Sequence, residues 1–286
     1  MVLENILTAF QAEQKPWETV FLGFIYTTVA VFLAYMVFKS YASMTMVFLL
    51  TMAALPLMYQ MTIMEEEKDL EGYPELWLLK EHSKALSSMM WMFIGMCIAF
   101  MIWYAFLPSE MSSTLFSAQR ETINAINGKA TGLVSADFSI FTKIFLNNIR
   151  VLVFCILFSF LFGAGAIFIL AWNASIIGAA MGNLVRTGLA ELADATGLAL
   201  AAGYFQVISY ALLRYVIHGI PEIGAYFVAG LAGGIVSIAV MKHDIATRKF
   251  EHVLLDSADL LLIALFLTLF AAILEVWVTP VVMGFA

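Results

Sequence analysis

The chain has 286 residues, of which 63% are hydrophobic and 12% are charged, and its mean hydropathy is +0.93. Soluble domains are only about half apolar, so this composition predicts a polytopic membrane protein, with the lipid bilayer as a partner. The formal net charge of −7 argues against nucleic acid as a partner, because a nucleic-acid-binding face needs clustered lysines and arginines.

Apolar segments long enough to cross a bilayer recur along the whole chain. A spanning helix needs about 20 mostly apolar residues, and about seven segments meet this length. They cover residues 19–38, 43–64, 89–107, 144–171, 197–217, 223–241 and 258–278. The sequence therefore predicts an all-α fold, a polytopic transmembrane helical bundle of about seven spans.

The order of these segments suggests three units. Residues 1–64 form an N-terminal transmembrane hairpin, residues 65–88 a polar amphipathic connector, and residues 89–286 the main transmembrane domain. The connector begins with a run of acidic residues: Glu65, Glu66, Glu67, Asp69 and Glu71. For this run a solvated surface is favoured over a cation site. Gly72 and Pro74 then break the backbone before a helix that leads into the third span.

A second long polar connector, the extramembrane loop 108–143, is predicted to lie outside the bilayer. Its apolar residues Leu115, Ile123 and Ile126 indicate a short amphipathic helix. This loop is the best candidate for a surface that binds membrane or cell-envelope partner proteins.

One apolar segment, residues 174–185, is too short to span. Asn173 and Arg186 bracket about a dozen apolar residues, which is typical of a re-entrant or broken helix. If the segment is re-entrant, the N-terminal side of the membrane holds most of the lysines and arginines, and the N-terminus is cytoplasmic. If the segment crosses, Arg186 and the basic residues after 241 change sides and this bias inverts. Charge alone leaves the two topologies open.

Polar residues inside or beside the spans form the predicted functional cluster, because a charge at bilayer depth is costly unless it is paired or wetted. The cluster consists of Asn147, Asn148, Arg150, Asn173, Arg214, His218, Glu222 and Glu275. At its centre, Gly219 and Pro221 are expected to break the helix between His218 and Glu222. Two interpretations compete for this motif: helix capping and packing, or a site for a substrate, ion or partner.

The same break argues against metal binding and catalysis. With the helix broken, His218 and Glu222 do not form a zinc motif, and no second histidine stands nearby in the sequence. No nucleophile elbow, phosphate-binding loop or dinucleotide fingerprint occurs. The chain is therefore expected to have no catalytic residues, no metal ligands and no cofactor, and not to be an enzyme.

Four short strings resemble one known family. The residues from His218 to Glu222, His-Gly-Ile-Pro-Glu, are similar to the His-Gly-x-x-Glu segment of the stage II sporulation protein M (SpoIIM) family. The other three strings are 145–149 (Phe-Leu-Asn-Asn-Ile), 173–178 (Asn-Ala-x-x-x-Gly) and 275–280 (Glu-Val-Trp-Val-Thr-Pro). The resemblance covers roughly residues 89–286, and the added N-terminal hairpin looks like the longer archaeal versions of the family.

The resemblance implies a multi-pass membrane protein. In sporulating bacteria the family member is regarded as an organiser that recruits peptidoglycan-degrading proteins during engulfment. By this resemblance the chain is expected to be a non-enzymatic scaffold in the cell membrane, with a cytoplasmic N-terminus and partners bound through 108–143. The alternative is a channel or transporter for a small solute, ion or lipid, because carriers build their sites at broken helices. Homo-oligomerisation is left open.

Overall fold

The computed structural model describes residues 7–70, 74–130, 138–192, 196–242 and 247–282, and within these ranges every regular element is helical. The helices are α1 (Ala9–Gln14), α2 (Thr19–Val37), α3 (Ala42–Asp69), α4 (Glu75–Phe106), α5 (Ser109–Leu115), α6 (Ser117–Ala130), α7 (Phe138–Phe162), α8 (Ala166–Glu191), α9 (Gly197–Lys242), α10 (Arg248–Ile273) and α11 (Thr279–Val282). Single 3₁₀ turns, Pro16–Glu18 and Lys39–Tyr41, precede α2 and α3, and a π-helical turn, Leu274–Val278, joins α10 to α11.

Seven helices of the described chain are long and apolar enough to cross a membrane: α2, α3, α4, α7, α8, α9 and α10 with the turns that follow it. The predicted all-α polytopic bundle is confirmed. The number of spans agrees with the prediction, but their boundaries differ in the second half. The predicted span 144–171 is divided between α7 and α8, whereas the predicted spans 197–217 and 223–241 belong to one helix, α9.

A glycine turn separates α7 from α8. Gly163 has a φ of 73°, in the left-handed region that glycine enters without strain. A Cβ at Gly165 would lie 2.2 Å from the carbonyl oxygen of Phe158. The chain then continues as α8 for 26 residues, which is about 39 Å of helix. Residues 174–185 are therefore part of a full-length helix, and the prediction of a short re-entrant or broken segment is wrong.

The predicted break at Gly219 and Pro221 is also wrong. The helix α9 runs through both residues and is 46 residues long, or about 69 Å. Gly219 does not adopt the left-handed conformation of a helix cap; among the described glycines only Gly163 and Gly197 have positive φ. Pro221 removes one backbone hydrogen bond, which a transmembrane helix tolerates when neighbouring helices support it. The neighbours α7, α8 and α10 all pack along α9.

The direction of each helix follows from contacts at its ends. Thr19 donates a hydrogen bond to the Ser88 carbonyl, and Trp103 donates one to Thr28, so α2 and α4 run in the same direction. On α8, Arg186 donates hydrogen bonds to the carbonyls of Ala105 and Leu107 at the end of α4, so α8 ends on the same side as α4. The helix α8 therefore passes through the bundle from one side to the other.

The long helix α9 returns to the side where α1 lies, which is called the N-terminal side below. Its last residue, Lys242, forms an ion pair of 3.1 Å with Glu66 near the end of α3. The helix α10 then runs back along α9. The seven helices thus alternate in direction along the chain, and α5 and α6 lie at the opposite side, between α4 and α7.

Candidate functional site

The structure brings together three of the predicted site residues, His218, Glu222 and Glu275. His218 and Glu222 are four residues apart on the continuous helix α9, so they lie on one face, one turn apart. Glu275 comes from the π-helical turn Leu274–Val278. One ligand atom of each side chain lies within 4.8 Å of the other two.

Packing of the chain end against α7 and α9 holds Glu275 in place. The ring of Trp277 lies 5.3 Å from that of Phe141 on α7. On the α9 side, Nδ1 of His218 lies 3.3 Å from the hydroxyl of Thr279. A π-helical turn inserts extra backbone into the spiral and is often found at functional positions, and here Glu275 belongs to that turn.

The carboxylate of Glu222 is paired with a phenol. The Tyr226 hydroxyl donates a hydrogen bond of 2.8 Å to Oε1 of Glu222, and the Tyr226 side chain is 1% exposed. Within the described part of the chain, neither Glu222 nor Glu275 forms an ion pair with a lysine or arginine. The hydrogen-bond partner of Glu222 in the described chain is therefore a tyrosine and not a lysine or arginine.

This arrangement limits the chemistry of the three groups. Two carboxylates side by side repel each other when both are ionised, so such a pair either shares a proton or binds a cation. Imidazole and carboxylate groups are also the ligands of many transition-metal sites in proteins. His218, Glu222 and Glu275 are the described residues that could hold a metal ion.

The other predicted residues have different surroundings. Asn147 and Arg150 are exposed on α7. Asn148 is buried, and its Nδ2 has no hydrogen-bond partner among the described residues. Asn173 donates a hydrogen bond of 2.8 Å to the carbonyl of Ile169 in its own helix. Whether these residues act in function stays a prediction.

Arg214, the last residue of the predicted cluster, lines a cavity of about 320 Å³ at the side where α5 and α6 lie. The cavity is shared with α6, which contributes Arg120 and Asn124, and with α4 and α8, which contribute Tyr104 and Asn183. Two guanidinium groups from different helices thus face one space. Sequence reasoning placed Arg214 with the carboxylates; the structure places it next to the extramembrane connector.

A second polar cluster, on the N-terminal side, was missed by the sequence analysis. Lys68 pairs with Glu65 at 2.5 Å and with Glu13 of α1 at 2.9 Å. His82 of α4 bridges Glu65 at 2.6 Å and Asp69 at 3.0 Å. Glu65 and Asp69 are almost fully buried, so the prediction of a solvated acidic surface is wrong here. Burial raises the pKa of Glu13 to about 7.

One signal for this second cluster is present in the sequence. Glu65, Lys68 and Asp69 are spaced three and four residues apart, so they share a face if the helix of the second span continues past residue 64. The structure shows that α3 does continue, to Asp69. The sequence analysis ended the second span at residue 64, its last apolar residue, and therefore did not place these three charged residues on one helical face.

The comparisons with known proteins give one match. A sequence model of the family described as stage II sporulation protein M matches residues 92–280, about two thirds of the chain. No curated protein and no solved structure matches the chain. The matched region begins within α4 and contains His218, Glu222 and Glu275.

Proposed function

Because this chain belongs to the stage II sporulation protein M family, we propose that it is a non-enzymatic organiser that holds membrane or cell-envelope proteins together at the cell membrane. The observation that carries this proposal is the structure of the connector after α4. Its first part is a pair of helices, α5 and α6, fixed to the membrane bundle. A rigid surface outside the bilayer is what a scaffold requires.

Buried side chains fix this helix pair in place. Leu115 and Phe116 are 0% exposed, and the Phe116 ring lies 5.0 Å from that of Tyr104 on α4. Gln119, also 0% exposed, accepts a hydrogen bond from Ser43 and donates one to Ser175. These two bonds join α6 to α3 and α8, so α6 is fixed to the bundle.

The outward face of the helix pair is polar and open. Glu110, Ser113 and Glu121 are exposed there, whereas Leu115 and Phe116 are buried against the bundle. Such a face is suited to a partner with a polar surface, bound reversibly. Of the rest of the predicted loop, residues 131–137 lie outside the described residues, and residues 138–143 are the first residues of α7.

Site-specific crosslinking in native membranes tests the organiser role. A photo-reactive amino acid at position 121, on the outward face of α6, should give adducts of defined mass with envelope or membrane proteins. The matched control is position 251, an exposed glutamate on α10 at the N-terminal side. Arg120→Glu should lower the adduct yield at 121 several-fold. Absence of any adduct at 121, or the same adducts at both positions, would contradict the proposal.

Charge supports a cytoplasmic N-terminus. With seven alternating helices, the N-terminal side carries Lys15, Lys68, Lys80, Lys84, Lys242, Arg248 and Lys249, and the opposite side carries Lys39, Arg120, Lys129, Lys143, Arg186 and Arg214. Lysine and arginine are in excess on the cytoplasmic side of membrane proteins. The excess of seven to six supports a cytoplasmic N-terminus, and in this proposal α5 and α6 lie outside the cell.

A channel or transporter is the second candidate, and one observation favours it. Glu222 and Glu275 lie inside long apolar helices, where ionisable groups commonly mark ion or substrate paths. The broken helix that first supported this candidate is not present, because α9 is continuous. Flux through reconstituted liposomes above the rate of empty vesicles, abolished by Glu222→Gln, would replace the organiser with a carrier. Partner binding without flux would favour the organiser.

A further inference from the structure

We propose that His218, Glu222 and Glu275 form a binding site for one divalent transition-metal ion, of which zinc and manganese are the representative cases. This inference goes beyond the organiser role and does not depend on it. It rests on the continuity of α9, the closeness of the three ligand atoms, and the charge of the two carboxylates.

The continuity of α9 provides the first two ligands. Histidine and glutamate four residues apart on an unbroken helix direct their side chains to the same side, one turn apart. This is the spacing by which helical metal sites present two ligands from one element. A break at Gly219 would have separated the two side chains, and the structure has no such break.

The distance between ligand atoms suits a metal after small side-chain movements. All three atoms lie within 4.8 Å of one another. Ligands about 2.1 Å from a tetrahedral ion are about 3.4 Å apart. The longest separation therefore has to shorten by at most about 1.4 Å, which is a small movement for the end of a glutamate side chain with three rotatable bonds.

The donor set selects the class of metal. One imidazole nitrogen and two carboxylates suit zinc, manganese or iron better than calcium, which prefers six to eight oxygen ligands. The Thr279 hydroxyl lies beside Nδ1 of His218, so in this proposal Nε2 is the ligand atom. Tyr226 holds one oxygen of Glu222, and the other oxygen remains for the metal. Such outer hydrogen bonds orient the ligands of metal sites.

Charge supplies the driving force. Two ionised carboxylates in an apolar surrounding repel each other, and the described chain gives them no lysine or arginine as a partner. A divalent cation neutralises both carboxylates at once. The competing way to remove the repulsion is a proton shared between Glu222 and Glu275, and the experiment distinguishes the two.

Metal titration of the full chain in detergent tests the proposal. The affinity tag is removed, bound metal is stripped with EDTA, and zinc or manganese is added at pH 7.5 with calorimetric detection. Metal content is then counted by mass spectrometry after desalting. We expect one equivalent per chain, no comparable binding of calcium, and a higher melting temperature with the metal bound.

Substitutions at the ligands locate the site. Glu275→Gln, which removes a carboxylate that forms no ion pair in the described chain, should weaken zinc binding at least ~10-fold. Thr279→Val should weaken it by a smaller factor, because it removes only the contact with His218. Glu251→Gln, at an exposed position of α10, is the matched control and should bind as the wild type does.

Two outcomes would overturn the proposal. In one, the stripped protein takes up no metal at pH 7.5 and again none at pH 8.5, where a shared proton competes less. In the other, binding occurs but Glu275→Gln leaves its affinity unchanged. Gel filtration and the melting temperature of each variant show that it is folded. If Glu222→Gln misfolds, Glu275→Gln decides.

Discussion

Replacing Gly95 with alanine is expected to disrupt the packing of α2 against α4. A Cβ at Gly95 would lie 2.1 Å from the carbonyl oxygen of Val20, and a Cβ at Gly23 on the facing helix would lie 2.0 Å from the carbonyl oxygen of Met92. The atoms contacted belong to the backbone, so no side-chain rotation relieves the overlap. The two glycines let the helices approach as small residues do in membrane proteins.

The size of the effect follows from this geometry. To bring the added carbon to 3.0 Å from the Val20 oxygen, the helices must separate locally by about 1 Å. A gap of about 0.5–1 Å forfeits roughly a quarter to a half of the dispersion energy of each contact along the seam. The hydrogen bonds made by Thr19 and Trp103 between α2 and α4 would lengthen too. We expect Gly95→Ala to lower the free energy of unfolding by about 3 kcal/mol.

Gly219→Ala is the matched control, with the opposite expected sign. A Cβ at Gly219 would meet no atom within 4 Å, and the residue lies in the interior of α9 without positive φ. Alanine there should raise the free energy of unfolding by about 0.5–1 kcal/mol, because it favours the helix more than glycine does. If Gly219 were a left-handed helix cap, alanine would be destabilising instead.

Unfolding in mixed micelles with a rising fraction of sodium dodecyl sulfate, followed by circular dichroism, measures both variants against the wild type. The reasoning is refuted if Gly95→Ala unfolds within about 0.5 kcal/mol of the wild type, a change typical of surface substitutions. Destabilisation by Gly219→Ala of about 1 kcal/mol would refute the unbroken α9.

Three further predictions concern charge and topology. Lys68→Met should lower the free energy of unfolding by about 3 kcal/mol at pH 8, because it removes the ion-pair partner of the buried Glu13 carboxylate and leaves Glu65 with His82 alone. The exposed control Lys84→Met should cost less than about 1 kcal/mol, and a similar loss in both variants would show that the ion pairs of Lys68 contribute no more than a surface pair. Burial raises the pKa of Glu13 from 4.5 to about 7, so stability present below about pH 4.5 is lost as pH rises through about 7, by roughly 1–3 kcal/mol. The free energy of unfolding, measured by denaturation between pH 5 and 8, should show this loss in the wild type and not in Glu13→Gln. The same change of this free energy with pH in both proteins would contradict the prediction. Phe162 is the last residue of α7, Thr187 lies near the end of α8, and both are exposed. Single cysteines at these two positions should be labelled from opposite sides of the membrane, and labelling of both from one side would contradict the crossing of α8.

Helix boundaries were the part of the fold that hydropathy predicted least well. The segment 144–171 looks like one span because Gly163 and Gly165 lie in uninterrupted apolar sequence, and the left-handed turn at Gly163 depends on how the chain packs. The opposite error occurred at Gly219 and Pro221, residues that end helices in water. Packing of α7, α8 and α10 along α9 supports the helix there, so local propensity did not decide its course.

The candidate site was predicted in its residues but not in its arrangement. His218, Glu222 and Glu275 were singled out because ionisable groups are costly in apolar sequence. Their meeting within 4.8 Å depends on the unbroken α9 and on the π-helical turn at Glu275, and neither was visible in the sequence. The buried charges around Lys68 were missed for a related reason, since a run of acidic residues has the same composition whether it is solvated or paired.

By itself the sequence determined that the protein is an all-α, multi-pass membrane protein and which family it resembles. Composition and short motifs are local properties, and the cost of placing apolar or ionisable groups in water or lipid acts on each residue separately. Only the tertiary structure decided where the helices end, which charges are paired, and which three polar side chains share one site. Those features depend on contacts between residues far apart in the chain, such as Glu13 with Lys68 and Glu222 with Glu275, whose energies exist only once the helices have packed.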